Sequence, residues 1–297
     1  MIVYHDSGRH SLLRKYFIMS GVECIPLWRN YPARFIYRKT RTHVPYKLVF
    51  NVPKPAQTDN KIIVFDTNVT PSYLCWLCNH YPNKRIILWY WNPVNGSRAF
   101  DLFPRRVEIW SYSPSDCERF GFKYNSQFYF DCIAEQQAKN YGRGYTQPTV
   151  CFIGREKGRK EPIIKIKEML EQNGIRTDFH FMKDGVPKNR FEEPLMAYTR
   201  VINMISNCDT LLDFTLRDET GLSLRPMEAM FFGKKLITNQ RSIARYDFYR
   251  KENIYILGEE DRSIQEFLNT PGVEIEPEIR DFYLLSNWLK RFDQPEG

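Results

Sequence analysis

Between residues 210 and 240 the chain reads TLLDFTLRDETGLSLRPMEAMFFGKKLITNQ, and the spacing of four residues in it suits capture of a phosphorylated ligand. The apolar run TLLDFT predicts a strand ending at Thr215, a polar loop holding Gly221 follows, and a helix begins near Ser223. A glycine at such a junction lets backbone approach a ligand closely, and the free N–H groups of a helix start favour an anion such as a diphosphate. Ser223 adds a hydroxyl and Arg225 a guanidinium at the same place. Glu228 stands one turn further on, where a carboxylate could accept hydrogen bonds from two neighbouring ribose hydroxyls. Each has a plainer reading too: Arg225 as a surface arginine paired with Asp218 or Glu219, and Glu228 as a solvent-facing helical carboxylate.

Cys75, Cys78 and His80 invite a metal or redox reading, which the spacing does not support. No second ligand pair follows at zinc spacing, CWLC lies within an amphipathic helix, and Asn79 rather than a histidine follows Cys78, which excludes haem attachment. The seven cysteines are odd in number and scattered, as expected of free thiols in a reducing compartment.

GLSLRPMEAMFFGKKLIT resembles the nucleotide-binding segment of GT-B glycosyltransferases, in which a glycine loop leads into a helix bearing a glutamate, then a small-residue turn and a strand. VCFIGREKGRKEPIIKIKEML (150–170) is similar to the opening strand, loop and first helix of that class's donor domain. HFMKDG (180–185) lies where the family seats the base. The resemblance implies that Gly154, Arg155 and Lys157, with Lys160, contact the donor phosphates, and that Thr220, Gly221, Leu222, Ser223, Arg225 and Glu228 complete the nucleotide-sugar site. Retaining members carry two glutamates eight positions apart. Here Thr220 occupies the first of those positions and Glu219 falls one residue early, so the anomeric outcome stays open.

KIIVFDTN, WYWNP and EIWSYSPSDCERFGFKYN resemble stretches of bacterial lipopolysaccharide and capsule transferases. An inverting enzyme needs a carboxylate or histidine to take the acceptor hydroxyl's proton. The family supplies it from a loop of the N-terminal domain, which nominates Asp66, His10 and Asp6, and Trp91 with Asn92 is the candidate acceptor contact. As plainer alternatives, these are hydrogen-bonded loop aspartates, a surface histidine and a core tryptophan. The class generally holds no catalytic metal, so the resemblance implies no cofactor beyond the nucleotide-sugar co-substrate.

Placing these residues requires alternating βα units. KIIVFD (61–66), RIILWYW (85–91) and VEIWSYS (107–113) read as strands, with a helix over 71–81 opened by Pro71 and another over PSDCERFGF. TVCFIGR (149–155), TDFHFM (177–182), TLLDFT, KLIT (235–238) and NIYIL (253–257) repeat the pattern, with helices over 161–173, 194–207 and 224–232. The expected fold is α/β, two Rossmann-like domains (GT-B) facing each other across a cleft. Residues 1–146 form the acceptor domain and 147–275 the nucleotide-sugar domain, with a linker in the Gly- and Pro-rich YGRGYTQP (141–148). An amphipathic helix over 276–292, with Phe282, Leu285, Leu289 and Phe292 on one face, crosses back to the first domain.

The 297 residues are enough for two such cores. Neither a transmembrane run nor a secretory signal is readable, which points to the cytoplasm. Residues 1–148 hold 20 Lys+Arg against 10 Asp+Glu, and the remainder 23 against 25. A basic, aromatic-rich first half could face anionic lipid, a phosphate-bearing acceptor or nucleic acid, or be a solvated surface. The reading that joins these features is a metal-independent glycosyltransferase of cell-surface polysaccharide biosynthesis. It takes a nucleotide-sugar donor and a glycan or lipid-linked saccharide acceptor, rests against the inner leaflet and binds no nucleic acid. The alternatives are a nucleotide-sugar 2-epimerase of the same fold and a non-catalytic sugar-nucleotide or nucleic-acid binding module.

Overall fold

The computed structural model describes residues 1–4, 13–29, 46–67, 69–94, 99–138, 149–182, 198–215 and 221–294. They fall into two compact units, Met1–Ser126 and Gln127–Gly297, each an α/β layer structure on a parallel sheet.

In the first unit the strands are β1 (Ile2–Tyr4), β2 (Cys24–Pro26), β3 (Lys61–Phe65), β4 (Arg85–Tyr90), β5 (Val107–Ser111) and β6 (Lys123–Tyr124), in the order β2-β1-β3-β4-β5-β6 with every neighbouring pair parallel. The helices are α1 (Arg14–Met19), α2 (Tyr46–Val49), α3 (Pro71–His80) and α4 (Pro114–Phe120). Ile62, Ile63, Val64 and Phe65 are all buried, as are Ile86, Ile87, Leu88 and Trp89, the uninterrupted apolar reading of parallel strands covered on both faces. The start of α3 follows from Thr70, whose hydroxyl accepts the Tyr73 N–H at 3.2 Å, and from Pro71 in its first turn. Cys78 is buried on this helix and Cys75 exposed, while Trp76 stacks on His80.

The second unit holds β7 (Thr149–Arg155), β8 (Arg176–Met182), β9 (Thr210–Asp213), β10 (Lys235–Thr238) and β11 (Ile254–Ile256) in the order β11-β10-β9-β7-β8, again all parallel. Its helices are α5 (Asp131–Ala138), α6 (Lys160–Gln172), α7 (Tyr198–Ser206), α8 (Leu224–Phe232), α9 (Ile264–Asn269), α10 (Pro277–Phe282) and α11 (Leu285–Arg291). In both sheets the first strand of the unit lies between the second and the third. Chain direction therefore reverses its sideways march beside β1 in one unit and beside β7 in the other, and ligands of open α/β sheets gather outside the strand C-termini at such a switch point.

Two expectations change here. The first compact unit ends at Ser126, twenty residues before the expected boundary at residue 146, because Gln127–Phe130 and α5 pack within the second unit. The C-terminal segment is two helices rather than one. The Tyr129 N–H donates to the Tyr283 carbonyl at 2.7 Å and the Leu285 N–H to the Tyr129 carbonyl at 2.8 Å, so a strand-like bridge breaks the helix at 283–284. That segment does return to residues assigned by sequence to the first domain, since the Trp288 ring lies 4.6 Å from Phe128 and the Ser286 N–H donates to Asp131, but those residues belong to the second unit. The buried face is Leu285, Trp288 and Phe292, with Phe282 exposed. Among the described residues no helix is long and apolar enough to cross a membrane.

Candidate functional site

At the C-terminal edge of the second sheet, β7 runs into the turn Glu156–Arg159 before α6 begins at Lys160. The Arg159 N–H closes the turn on the Glu156 carbonyl at 2.7 Å. Lys157 has φ 42° and Gly158 φ 73°, and Lys157 is the sole non-glycine with positive φ among the described residues. Such a conformation costs energy and concentrates at functional sites. Arg155 is half-buried and Lys157 exposed. Lys160 pairs with Glu156 at 2.9 Å, so this expected phosphate contact already has an anion beside it.

Facing the turn, β9 ends at Asp213 and α8 begins behind Ser223. The Ser223 hydroxyl donates to Asp213 Oδ2 at 2.9 Å and accepts the Arg225 N–H at 3.0 Å, so one side chain caps the helix and ties it to the strand. Two glutamines hold the loop before it. Gln127 Nε2 donates to the Leu222 carbonyl at 3.0 Å and Gln240 Nε2 to the Gly221 carbonyl at 3.1 Å. Arg159 crosses between the two strand ends, donating through Nε to the Arg155 carbonyl at 3.2 Å and through Nη1 to the Phe214 carbonyl. Gly154 and Arg155 thus end β7 with Lys157 in the turn that follows, and Gly221, Leu222 and Ser223 lead into α8 after the neighbouring strand β9.

Arg225 and Glu228 are placed differently from the expectation of an open guanidinium and a ribose-facing carboxylate. Glu228 is 1% exposed. Its Oε2 pairs with Arg225 Nη1, and its Oε1 accepts from the Tyr198 hydroxyl at 2.7 Å. Arg225 Nη2 donates to the Ile153 carbonyl of β7 at 2.8 Å, and Tyr198 also lies 3.0 Å from the Tyr129 hydroxyl. The apolar face of α8 that seats the helix on the sheet carries these two charges inward with it. Burial pushes the Glu228 carboxyl up, against the pull of Arg225 and Tyr198. For Arg225 burial acts to lower the pKa, but Glu228 and Asp213 outweigh it and hold the guanidinium charged. Asp213 is likewise raised by burial, with Ser223, Arg225 and Arg159 opposing.

In the first unit Asp66 closes β3 at the corresponding edge. Its Oδ1 accepts the Trp91 N–H at 3.2 Å, and Asn92 Nδ2 lies 3.4 Å from Oδ2. The Trp91 ring packs edge-on to Phe65 at 5.2 Å. Asp66, Trp91 and Asn92 therefore form one cluster at the ends of β3 and β4. Burial raises the Asp66 carboxyl from the ordinary aspartate value of 3.8 to about 6, against hydrogen bonds from Trp91 and Asn92. Asp6, His10 and Thr220 lie outside the described residues.

Sequence reasoning missed Arg159, Asp213, Tyr198, Tyr129, Gln127 and Gln240. Arg159 and Asp213 carried a signal, one as the third cation of GREKGR and the other as the acid ending an apolar strand. The tyrosines and glutamines carried none, because their roles depend on long-range packing. Compared with protein-family models and with curated proteins, the chain matches none.

Proposed function

We propose that the chain is a glycosyltransferase of the GT-B class that moves a sugar from a nucleotide-sugar donor to a hydroxyl of a glycan or lipid-linked saccharide. The observation that carries this reading is the meeting of the Arg155–Arg159 turn with the Ser223-capped start of α8 at the switch point of the second sheet. Backbone N–H groups at a helix start and a cationic turn are what a diphosphate needs. Arg155 and Lys157 meet the phosphates, Gly221–Ser223 supplies close backbone approach, and the fixed charges stabilise the negative charge that grows on the leaving nucleotide. Arg225 acts from behind, its guanidinium held by Glu228, and Glu228 serves that placement rather than gripping the pentose.

In the first unit Asp66 is the base that takes the acceptor hydroxyl's proton. A carboxylate with pKa near 6 is ionised at neutral pH yet holds a proton better than an ordinary aspartate. Trp91 and Asn92, on the same cluster, contact the acceptor. Residues 1–126 hold 18 Lys+Arg against 8 Asp+Glu, and Ile18, Met19 and Leu48 are exposed, a combination suited to an acceptor presented at an anionic lipid surface.

The test is incubation with UDP-, GDP-, dTDP- and CMP-sugars, with nucleotide release measured in the presence and absence of saccharide acceptors. Release that depends on acceptor is expected. An isomerised sugar nucleotide would instead identify an epimerase, and binding without turnover a non-catalytic module.

A further inference from the structure

Three of the four sheet edges are short: β2 and β11 have three residues each and β6 has two. The fourth edge, β8, runs for seven residues in unbroken register with β7 and contains no proline. Proteins blunt their edges by shortening, bulging or placing proline on them, because a long free edge is a template for another strand. Among the described residues no strand pairs with the far side of β8. The Met182 carbonyl accepts the Glu156 N–H on the β7 side, and alternation along the strand therefore turns the N–H and C=O groups of Thr177, Phe179 and Phe181 outward.

Phe179 and Phe181 lie on the face that packs with Phe152, Ile166 and Met169. Arg176, Asp178, His180 and Met182 share the other face, where His180 Nε2 lies 2.7 Å from Asp178 Oδ1. A strand that meets a second copy of itself across a two-fold axis pairs antiparallel. Opposed residues share a face, so the axis must pass through a residue. Centred on Phe179, the midpoint of β8, the pairing includes the whole strand: Arg176 with Met182, Thr177 with Phe181, Asp178 with His180, and Phe179 with its own copy. The outward residues then exchange N–H···O bonds. Asp178 and His180 fall at the closer, non-hydrogen-bonded positions, with Cβ atoms about 5 Å apart. An axis moved to Asp178 sets two carboxylates against each other, and one moved to His180 sets imidazole against imidazole. Full overlap and charge complementarity select the same register.

We propose that β8 is a dimerisation edge, pairing antiparallel with β8 of a second copy of the chain about Phe179 and joining the two five-stranded sheets into one. Asp178 and His180 of each copy, exposed in the single chain, meet their opposites there. Arg176 and Asp178, which would discourage an arbitrary strand, become the means of choosing this one. The interface is independent of the donor and acceptor readings above.

Sedimentation velocity of the full chain across the micromolar range compares its mass with the 35.5 kDa of one copy, and a concentration-dependent dimer is expected. Thr177→Pro deletes an outward N–H while sparing the ladder to β7, and should give a monomer with the circular dichroism of the parent. Asp178→Lys sets an ammonium group against each imidazole and should weaken the dimer about tenfold. Combining it with His180→Asp restores opposite groups across the axis and should recover dimerisation, which keeps the inference testable should the proline variant not fold. A parent protein that stays monomeric, one that forms open-ended assemblies, or a folded Thr177→Pro protein that dimerises as the parent does overturns the inference. Equal weakening in Asp178→Lys and in the double variant also overturns it, because the register requires those two residues to meet.

Discussion

Arg225 and Glu228 stand three residues apart on α8 and close on each other inside the second unit, with Glu228 1% exposed and its second oxygen held by Tyr198. The pair fixes a helix start against a strand end, since the far side of the guanidinium is bonded to Ile153 of β7. Removing one partner leaves the other charge buried alone, which costs about 3–5 kcal/mol. Glu228→Ala and Arg225→Ala should each show that loss in urea unfolding, while an Arg225→Met, Glu228→Leu double variant should lose less than either. Additive losses would mean that the two charges do not depend on each other.

Asp66 gives a prediction in pH. Its carboxyl titrates near 6 in the folded chain against 3.8 ordinarily, so between those values the folded state holds a proton that the unfolded state has released. Stability contributed by that proton is complete below pH 3.8 and is lost as pH rises through 6. Asp66→Asn should flatten this part of the melting-temperature profile and raise the melting temperature above pH 6. Turnover should move the other way: in the parent it falls as pH drops through the same range, and in the variant it falls by about 100-fold or more at every pH. Full turnover in Asp66→Asn would remove Asp66 from the chemistry.

Ser223 holds both Asp213 and the Arg225 N–H. Its replacement by alanine removes a helix cap worth about 1 kcal/mol and strips the buried Asp213 carboxylate of its hydroxyl donor. Chemical denaturation should show a loss of about 1–3 kcal/mol, with weaker nucleotide binding. Ser223→Thr should recover most of both.

Trp288 is fully buried against Phe128 and Phe292. Trp288→Ala should destabilise the second unit by about 3–5 kcal/mol, and the first unit, with its own core of Val3, Ile62, Val64 and Leu88, should melt as in the parent. Calorimetry resolves the two transitions, and a shift confined to the first unit would refute this packing.

The strands were legible because parallel strands buried on both faces are written as unbroken apolar runs, and KIIVFD, RIILWYW and TVCFIGR form β3, β4 and β7 with little change at their ends. The glycines and cations of the switch point were legible for a related reason: they stand at strand ends, where few residue types work. The fate of Arg225 and Glu228 was not, because helical spacing says which face a residue shares and not whether that face carries a tyrosine partner thirty positions away. The break in the C-terminal helix was hidden likewise, since EPEIRDFYLLSNWLKRF has no helix breaker in its middle and the interruption comes from Tyr129 pairing with it.

The packing of Gln127–Phe130 and α5 with the second unit bears on any attempt to dissect the chain. A fragment started at the Gly- and Pro-rich stretch would leave behind the Phe128 ring against which Trp288 rests and the glutamine that holds Leu222. Its own tail would then present bare tryptophan and phenylalanine to water. The cut that respects the molecule falls between Ser126 and Gln127, and nothing in the local composition advertises it.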